Sequence, residues 1–149
     1  MGKPTIFDFL RVRHDLEVVG QLKAPAISVP GVEKTVKGSE IKYNTSGIGT
    51  KASVGITLPK GAIVSKVVAD VTEAFNAATT NVLTIGYSSD TDALMASGDI
   101  NEGTIGANVK QRMDAPLGSA SVVYAQYTYT GTAPSKGKAV VYVTYIESL

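Results

Sequence analysis

Cysteine is absent from the 149 residues. That excludes disulfides, thiolate metal sites and cysteine nucleophiles, and leaves stability to packing and hydrogen bonding. Histidine occurs once, at His14, between Arg13 and Asp15. A single imidazole supports neither a metal centre nor a Ser-His pair. It reads as a solvated or interface side chain. Charge is also scarce: 18% of residues are charged, against about 25% in an ordinary soluble domain. The formal net charge is +1, and no basic cluster stands out, so no nucleic-acid partner is expected. No segment approaches the roughly 20 apolar residues of a membrane span. Near the N-terminus Asp8, Arg11 and Arg13 interrupt any signal-like apolar run. Ile6 stands where a myristoylation pattern needs Ser or Thr. The expectation is a soluble chain made in a cytoplasm, with no membrane partner.

What the chain does have is apolar residues, 44% of the total. Its length suits one domain with a real core. High apolar content with little charge favours a protein that is covered in an assembly, although a compact β domain gives the same figure.

The strongest β signal runs from Ile56 to Tyr87. Ser53–Leu58 alternates, with Val54, Ile56 and Leu58 on one face. Pro59-Lys60-Gly61 turns the chain. Ala62–Phe75 follows, rich in β-branched residues. Strict alternation groups Ile63, Ser65, Val67, Ala69 and Val71 against Val64, Lys66, Val68, Asp70 and Thr72. Both sets are partly apolar, which predicts a strand between two packed layers. Val82–Tyr87 is the next strand. Asp92–Ala96 predicts a helix of one or two turns, with Asp90 or Thr91 as its N-cap.

Further strands are predicted at Glu33–Val36, Glu40–Tyr43, Ala107–Arg112, Ser121–Thr130 and Lys138–Glu147. The segment 131–137 reads as a hairpin loop. In the last strand Ala139, Val141, Val143 and Tyr145 share one face, and Val140, Tyr142 and Ile146 the other. Gly47-Ile48-Gly49 is a loop, since a strand rather than a helix follows it. Residues 1–30 differ from the rest. Pro25 and Pro30 exclude a helix interior or central strand there. They predict an N-terminal arm lying along a surface, ahead of a body at 31–149; the alternative is a first edge strand with Phe7, Phe9 and Leu10 in the body's own core. The fold expected is all-β, a β-sandwich or jelly roll with one short helix and an extended N-terminal arm.

Chemistry-bearing constellations are sparse. Asp90, Asp92, Asp99, Asn101 and Glu102 form an acidic stretch, but not in the order of a calcium loop. It reads as a solvated loop with a helix cap. Asp70 and Glu73 have odd spacing on a strand, which predicts opposite faces and no carboxylate pair. Tyr124, Tyr127, Tyr129, Tyr142 and Tyr145 suit stacking on sugars, or a core or subunit interface. Core or interface is the better reading. Phe7, Phe9, Leu10 and Val12 of the arm, with Tyr127 and Tyr129, are the candidate protein-interface residues. No catalytic, cofactor or metal residue is assigned.

At Ile56–Val64, Val71–Asn76, Thr80–Gly86 and Asp90–Leu94 the chain resembles small structural proteins of tailed-bacteriophage virions. The phrases are ITLPKGAIV, VTEAFN, TNVLTIG and DTDAL. Leu16–Pro25, LEVVGQLKAP, is similar to leader phrases of phage fibre and decoration proteins. The resemblance implies a β-sandwich or jelly-roll capsid decoration (cement) protein or head fibre protein, without enzymatic activity or cofactor. Its partners would be the major capsid protein and itself, as a homotrimer about a symmetry axis. It would be made in the host cytoplasm and sit on the capsid surface of the virion. The alternatives are a tail or head-tail junction protein and a carbohydrate-binding module.

Overall fold

A computed structural model describes residues 31–45 and 49–147. The predicted arm at 1–30, with Phe7, Phe9, Leu10, Val12 and His14, lies outside the described residues, as does part of the Gly47-Ile48-Gly49 loop.

Among the described residues seven strands form: β1 Glu33–Lys42, β2 Lys51–Leu58, β3 Ala62–Glu73, β4 Thr80–Gly86, β5 Gly106–Gln111, β6 Ser121–Thr130 and β7 Lys138–Glu147. They make a four-stranded sheet in the order β1-β7-β3-β5 and a three-stranded sheet in the order β2-β6-β4. All pairings are antiparallel. Odd-numbered strands lie in one sheet and even-numbered strands in the other. Each named strand is thus followed by one in the opposite sheet. This is a jelly roll, reduced at one place. Beyond β4, a fourth strand of the second sheet shrinks to a single bridge between Ile85 and Met95.

The core follows from the period of two. β2 buries Val54, Ile56 and Leu58, and β7 buries Ala139, Val141, Val143 and Tyr145. β3 contributes Val64, Val67, Ala69 and Val71, β4 contributes Leu83 and Ile85, and β6 contributes Val123, Ala125 and Tyr127. These side chains meet between the sheets. At one margin β1 approaches β2 so closely that a Cβ on Gly38 would lie 3.0 Å from the Val54 carbonyl oxygen.

Three sequence expectations need correction. The helix at Asp92–Ala96 does not form. Leu94 and Met95 are fully buried and pair with Ile85 instead, through Leu94 N–H to Ile85 O at 2.9 Å and Ile85 N–H to Met95 O at 3.0 Å. Two apolar residues in a short run fit a helical turn or an extended segment equally well, and the open edge of β4 decides. The segment 131–137 is not a hairpin loop. It carries the chain from β6 in one sheet to β7 in the other. Asn76 holds it there, accepting from the Ser135 and Lys136 N–H groups at 2.9 and 3.1 Å. Third, Ile63 does not share the face of Val67. A bulge between Val64 and Lys66 shifts the β3–β7 register, so Ala62 and Val64 point inward before it, and Val67, Ala69 and Val71 after it. One inserted residue reverses the parity.

Gly86 is required by the turn that follows β4. A methyl there would collide with the Asp90 carbonyl and lie 2.6 Å from the Thr91 carbonyl carbon. These are backbone atoms, held by Tyr87 N–H to Asp90 O at 2.6 Å. The expected cost of Gly86→Ala is about 2–3 kcal/mol, the scale of an overpacked site. Gly118→Ala, with nothing within 4 Å of its added methyl, is expected to be nearly neutral. Urea unfolding of the two variants checks the difference.

Candidate assembly surface

The four-stranded sheet turns its other face away from the core, and that face mixes large apolar side chains with charged ones; a polar row, Thr35, Thr144, Lys66 and Gln111, crosses it. Its rows follow from the registers. Ile146 of β7 lies beside Ile63 of β3. Tyr142 of β7 lies between Lys37 of β1 and Val68 of β3, and Val68 in turn faces Val109 of β5. Val140 lies between Glu40 and Asp70, with Ala107 beyond. Ile63, Val68, Tyr142 and Ile146 are half-buried by their neighbours alone. The Lys37 ammonium sits 5.9 Å from the centre of the Tyr142 ring, an arrangement that favours the cation over the ring face.

β5 continues this face with its alternation inverted. The even positions turn inward and are polar. Asn108 donates to Ala69 O at 3.2 Å and accepts from Asn101 N–H at 2.9 Å. Lys110 bonds the Asp99 carboxylate. Arg112 donates to Leu94 O at 2.9 Å and to Asp114 at 2.8 Å. The odd positions Ala107, Val109 and Gln111 turn outward, Val109 at 55% exposure, and the flanking Ile105 and Met113 are exposed at 67% and 79%. The other exposed large hydrophobics among the described residues are Val32 at 51% and Val122 at 36%. Scattered apolar residues on a surface need no explanation, but three gathered on one strand and its flanks make a candidate interaction site.

This stripe was overlooked in the sequence, where 100–117 reads as a connection with one short strand. The signal was present. Ile105, Ala107, Val109 and Met113 alternate with Asn108, Lys110 and Arg112.

The tyrosines divide. Tyr127 is a core side chain, 5% exposed. Its ring packs on Phe75 at 4.7 Å and lies 6.1 Å from that of Tyr129. Its hydroxyl donates to Asn81 Oδ1 at 2.6 Å. Burial, with the nearby Glu102 charge, pushes its phenol up to about 12. Tyr129 is half-buried. Tyr124 borders an open depression of about 360 Å³ with Tyr87, Ser88, Ser89 and Val122. The Lys51 ammonium lies 5.7 Å from the Tyr124 ring centre, and little of Tyr127 is left to stack on a sugar.

The acidic residues are used one by one rather than gathered around a cation. Asp99 accepts from Lys110 and from Ala96 N–H at 2.7 Å, and the lysine holds its carboxyl below the usual range. Asp92 is pushed up by its hydrogen bond to Asp90. Asp70 and Glu73 do not lie on opposite faces. A second bulge, between Val71 and Glu73, sets Glu73 opposite Lys138, which it meets at 3.7 Å. The same parity reversal as at Ser65 defeats the spacing rule.

Glu102 also departs from expectation, since it is buried at 8% exposure rather than solvated. Its Oε1 accepts from the Leu83 N–H at 2.7 Å. Its own carbonyl accepts from Phe75 N–H at 2.9 Å. It therefore ties the β4–β5 connection to both sheets. Burial pushes its carboxyl up, partly opposed by the Leu83 hydrogen bond. The folded state thus keeps the proton longer than the unfolded state as pH rises. The contribution of the acid is fully present below the unfolded-state value and lost as pH climbs through the folded-state value. Glu102→Gln keeps the acceptor and removes the charge. It is expected to match or exceed the parent at pH 7, and to lose that advantage in acid. Glu102→Ala leaves the Leu83 N–H unpaired, at a cost of about 1–3 kcal/mol. Unfolding midpoints measured across pH check both.

No protein-family model matches the chain, and no curated protein matches it in sequence. Solved structures do match the fold. A chain of the cyanophage Pam1 capsid asymmetric unit superposes with a TM-score of 0.62 at 22% identity, covering 83% of this chain and 91% of that one. A chain of the acidic stable capsid of Helicobacter pylori bacteriophage KHP30 gives 0.56 at 22% identity, covering 79% and 90%. A chain of the Ralstonia phage GP4 capsid gives 0.59 at 16% identity, covering 85% and 91%. The chain has a fold found in the capsid structures of these three phages, in line with the resemblance of its strand phrases to phage virion proteins.

Proposed function

We propose that this chain is a bacteriophage virion structural protein that decorates the outside of the head and cements the shell. The observation that carries the reading is the set of large apolar side chains on the outer face of the four-stranded sheet, Ile63, Val68, Tyr142 and Ile146, continued by exposed Val109 on β5. A free-standing sandwich would be expected to turn polar side chains to water on that face. The likeness to chains of phage capsid structures supports a place in the head. No catalytic step and no cofactor are assigned.

In this reading the partner is the major capsid protein. The arm at 1–30 supplies a second attachment beside the sheet face, and copies assemble about a symmetry axis as a homotrimer. Linked contacts of this kind bind far more tightly than each alone, because the second becomes local once the first has formed. Phe7, Phe9, Leu10 and Val12 are proposed as arm contacts and Tyr129 as a contact of the body. Tyr127 would act from within, by holding Asn81 and the β3–β4 connection.

The test is binding to heads that lack the protein, read by co-sedimentation. Deleting residues 1–25 is expected to leave a folded body, since all seven strands lie within Glu33–Glu147, and to weaken binding. Val68→Lys with Tyr142→Lys is expected to weaken it about tenfold or more, the scale of losing one of two linked contacts. Binding to tails but not heads, or unchanged binding by the charged double variant, would overturn the proposal.

A further inference from the structure

Along the free edge of β5 and the residues flanking it, three large apolar side chains recur at equal spacing, with Ala107 and Gln111 between them. The apolar side chains Ile105, Val109 and Met113 are spaced four residues apart, so the stripe is symmetric about Val109. Other margins of the sandwich are covered. β1 and β2 close on each other at Gly38, and Leu94 and Met95 lie along β4. β5 pairs with β3 on one side, and no strand lies beyond it among the described residues. An edge strand aims the backbone N–H and C=O groups of alternate residues outward, and such an edge is a template for another strand.

From this edge we infer that β5 pairs with β5 of a second copy, antiparallel and about a two-fold axis through Val109. A two-fold contact must be self-complementary, and this one is. The register centred on Val109 sets Val109 opposite its own copy and Ile105 opposite Met113. It sets Lys110 opposite Asn108 and Arg112 opposite Gly106. No like charges face each other directly, which would be destabilising. The two cations are in any case bound within their own subunit, by Asp99 and Asp114. Pairing joins two four-stranded sheets into one of eight strands. The two outer faces then merge into a single broad surface centred on the two valines. If copies form trimers through other surfaces, the same contact links one trimer to the next.

The absence of cysteine makes the register directly readable. Directly opposed residues in an antiparallel pair lie about 4.5–5.5 Å apart at Cα, within the range a disulfide spans. Purified full-length Val109→Cys is expected to form covalent dimers under mild oxidation. The rate should exceed that of Val122→Cys by about tenfold or more, because pairing raises the local thiol concentration. Val122 is an exposed valine on the other sheet. Mixing Ile105→Cys with Met113→Cys is expected to give the mixed dimer faster than either protein dimerises alone. Equal rates for Val109→Cys and Val122→Cys, or no preference for the mixed dimer, would overturn the inference. The readout uses the isolated protein, so it stands or falls separately from binding to heads.

Discussion

The structure depends on burying two inner sheet faces against each other while each named strand gives way to one in the opposite sheet. Hydrophobic burial supplies the drive, but the period of two supplies the design. Each strand must present apolar side chains on one side only where water reaches the other. β2 and β7 keep an unbroken alternating apolar inner face, though β7 also carries Val140, Tyr142 and Ile146 on its outer one. β3 cannot, because it runs twelve residues and carries two register shifts. Each bulge adds a residue and bends the strand, so its inner and outer sets exchange along its length. The margins of the sandwich follow from the same constraint, with backbone edges closed by β1 on β2, by Leu94 and Met95 on β4, and by Glu102 on the Leu83 amide.

Much of this fold was legible in the sequence. All seven strands appear as alternating or β-branched runs bounded by turn residues. The pair Pro59 and Gly61 gives the turn that forms, with Ala62 N–H bonding Pro59 O at 3.2 Å and Gly61 at φ +83°. The rest was hidden for definite reasons. A bulge has no residue signature at Ser65 or Thr72, and one unseen bulge misplaces Ile63 while another misplaces Glu73. Leu94 and Met95 lack the length that separates helix from strand. Glu102 looks like any loop carboxylate until the fold folds it against Leu83. The partition of strands into sheets is a long-range property, so 131–137 passed for a hairpin.

The candidate surface was legible in part and for an unexpected reason. Apolar residues on both sides of the strand at 62–75 predicted two packed layers. One layer is the sandwich partner. The other is not among the described residues, and the outer face of β3, β7 and β5 stands in its place. On β5 the inversion is complete, since Asn108, Lys110 and Arg112 find partners inside the subunit while Ile105, Val109 and Met113 find none. Stability within the subunit does not require those three to be apolar. The proposed contact with another chain does, and a contact carried on a flat sheet face gains area without a pocket.

The most direct measurement is a reconstruction of phage heads with this chain bound. The account predicts density for the sandwich outside the shell, with Val68, Val140 and Tyr142 covered by another chain. It would be contradicted by a bound sandwich whose four-stranded sheet faces solvent while β2, β6 and β4 make the contact.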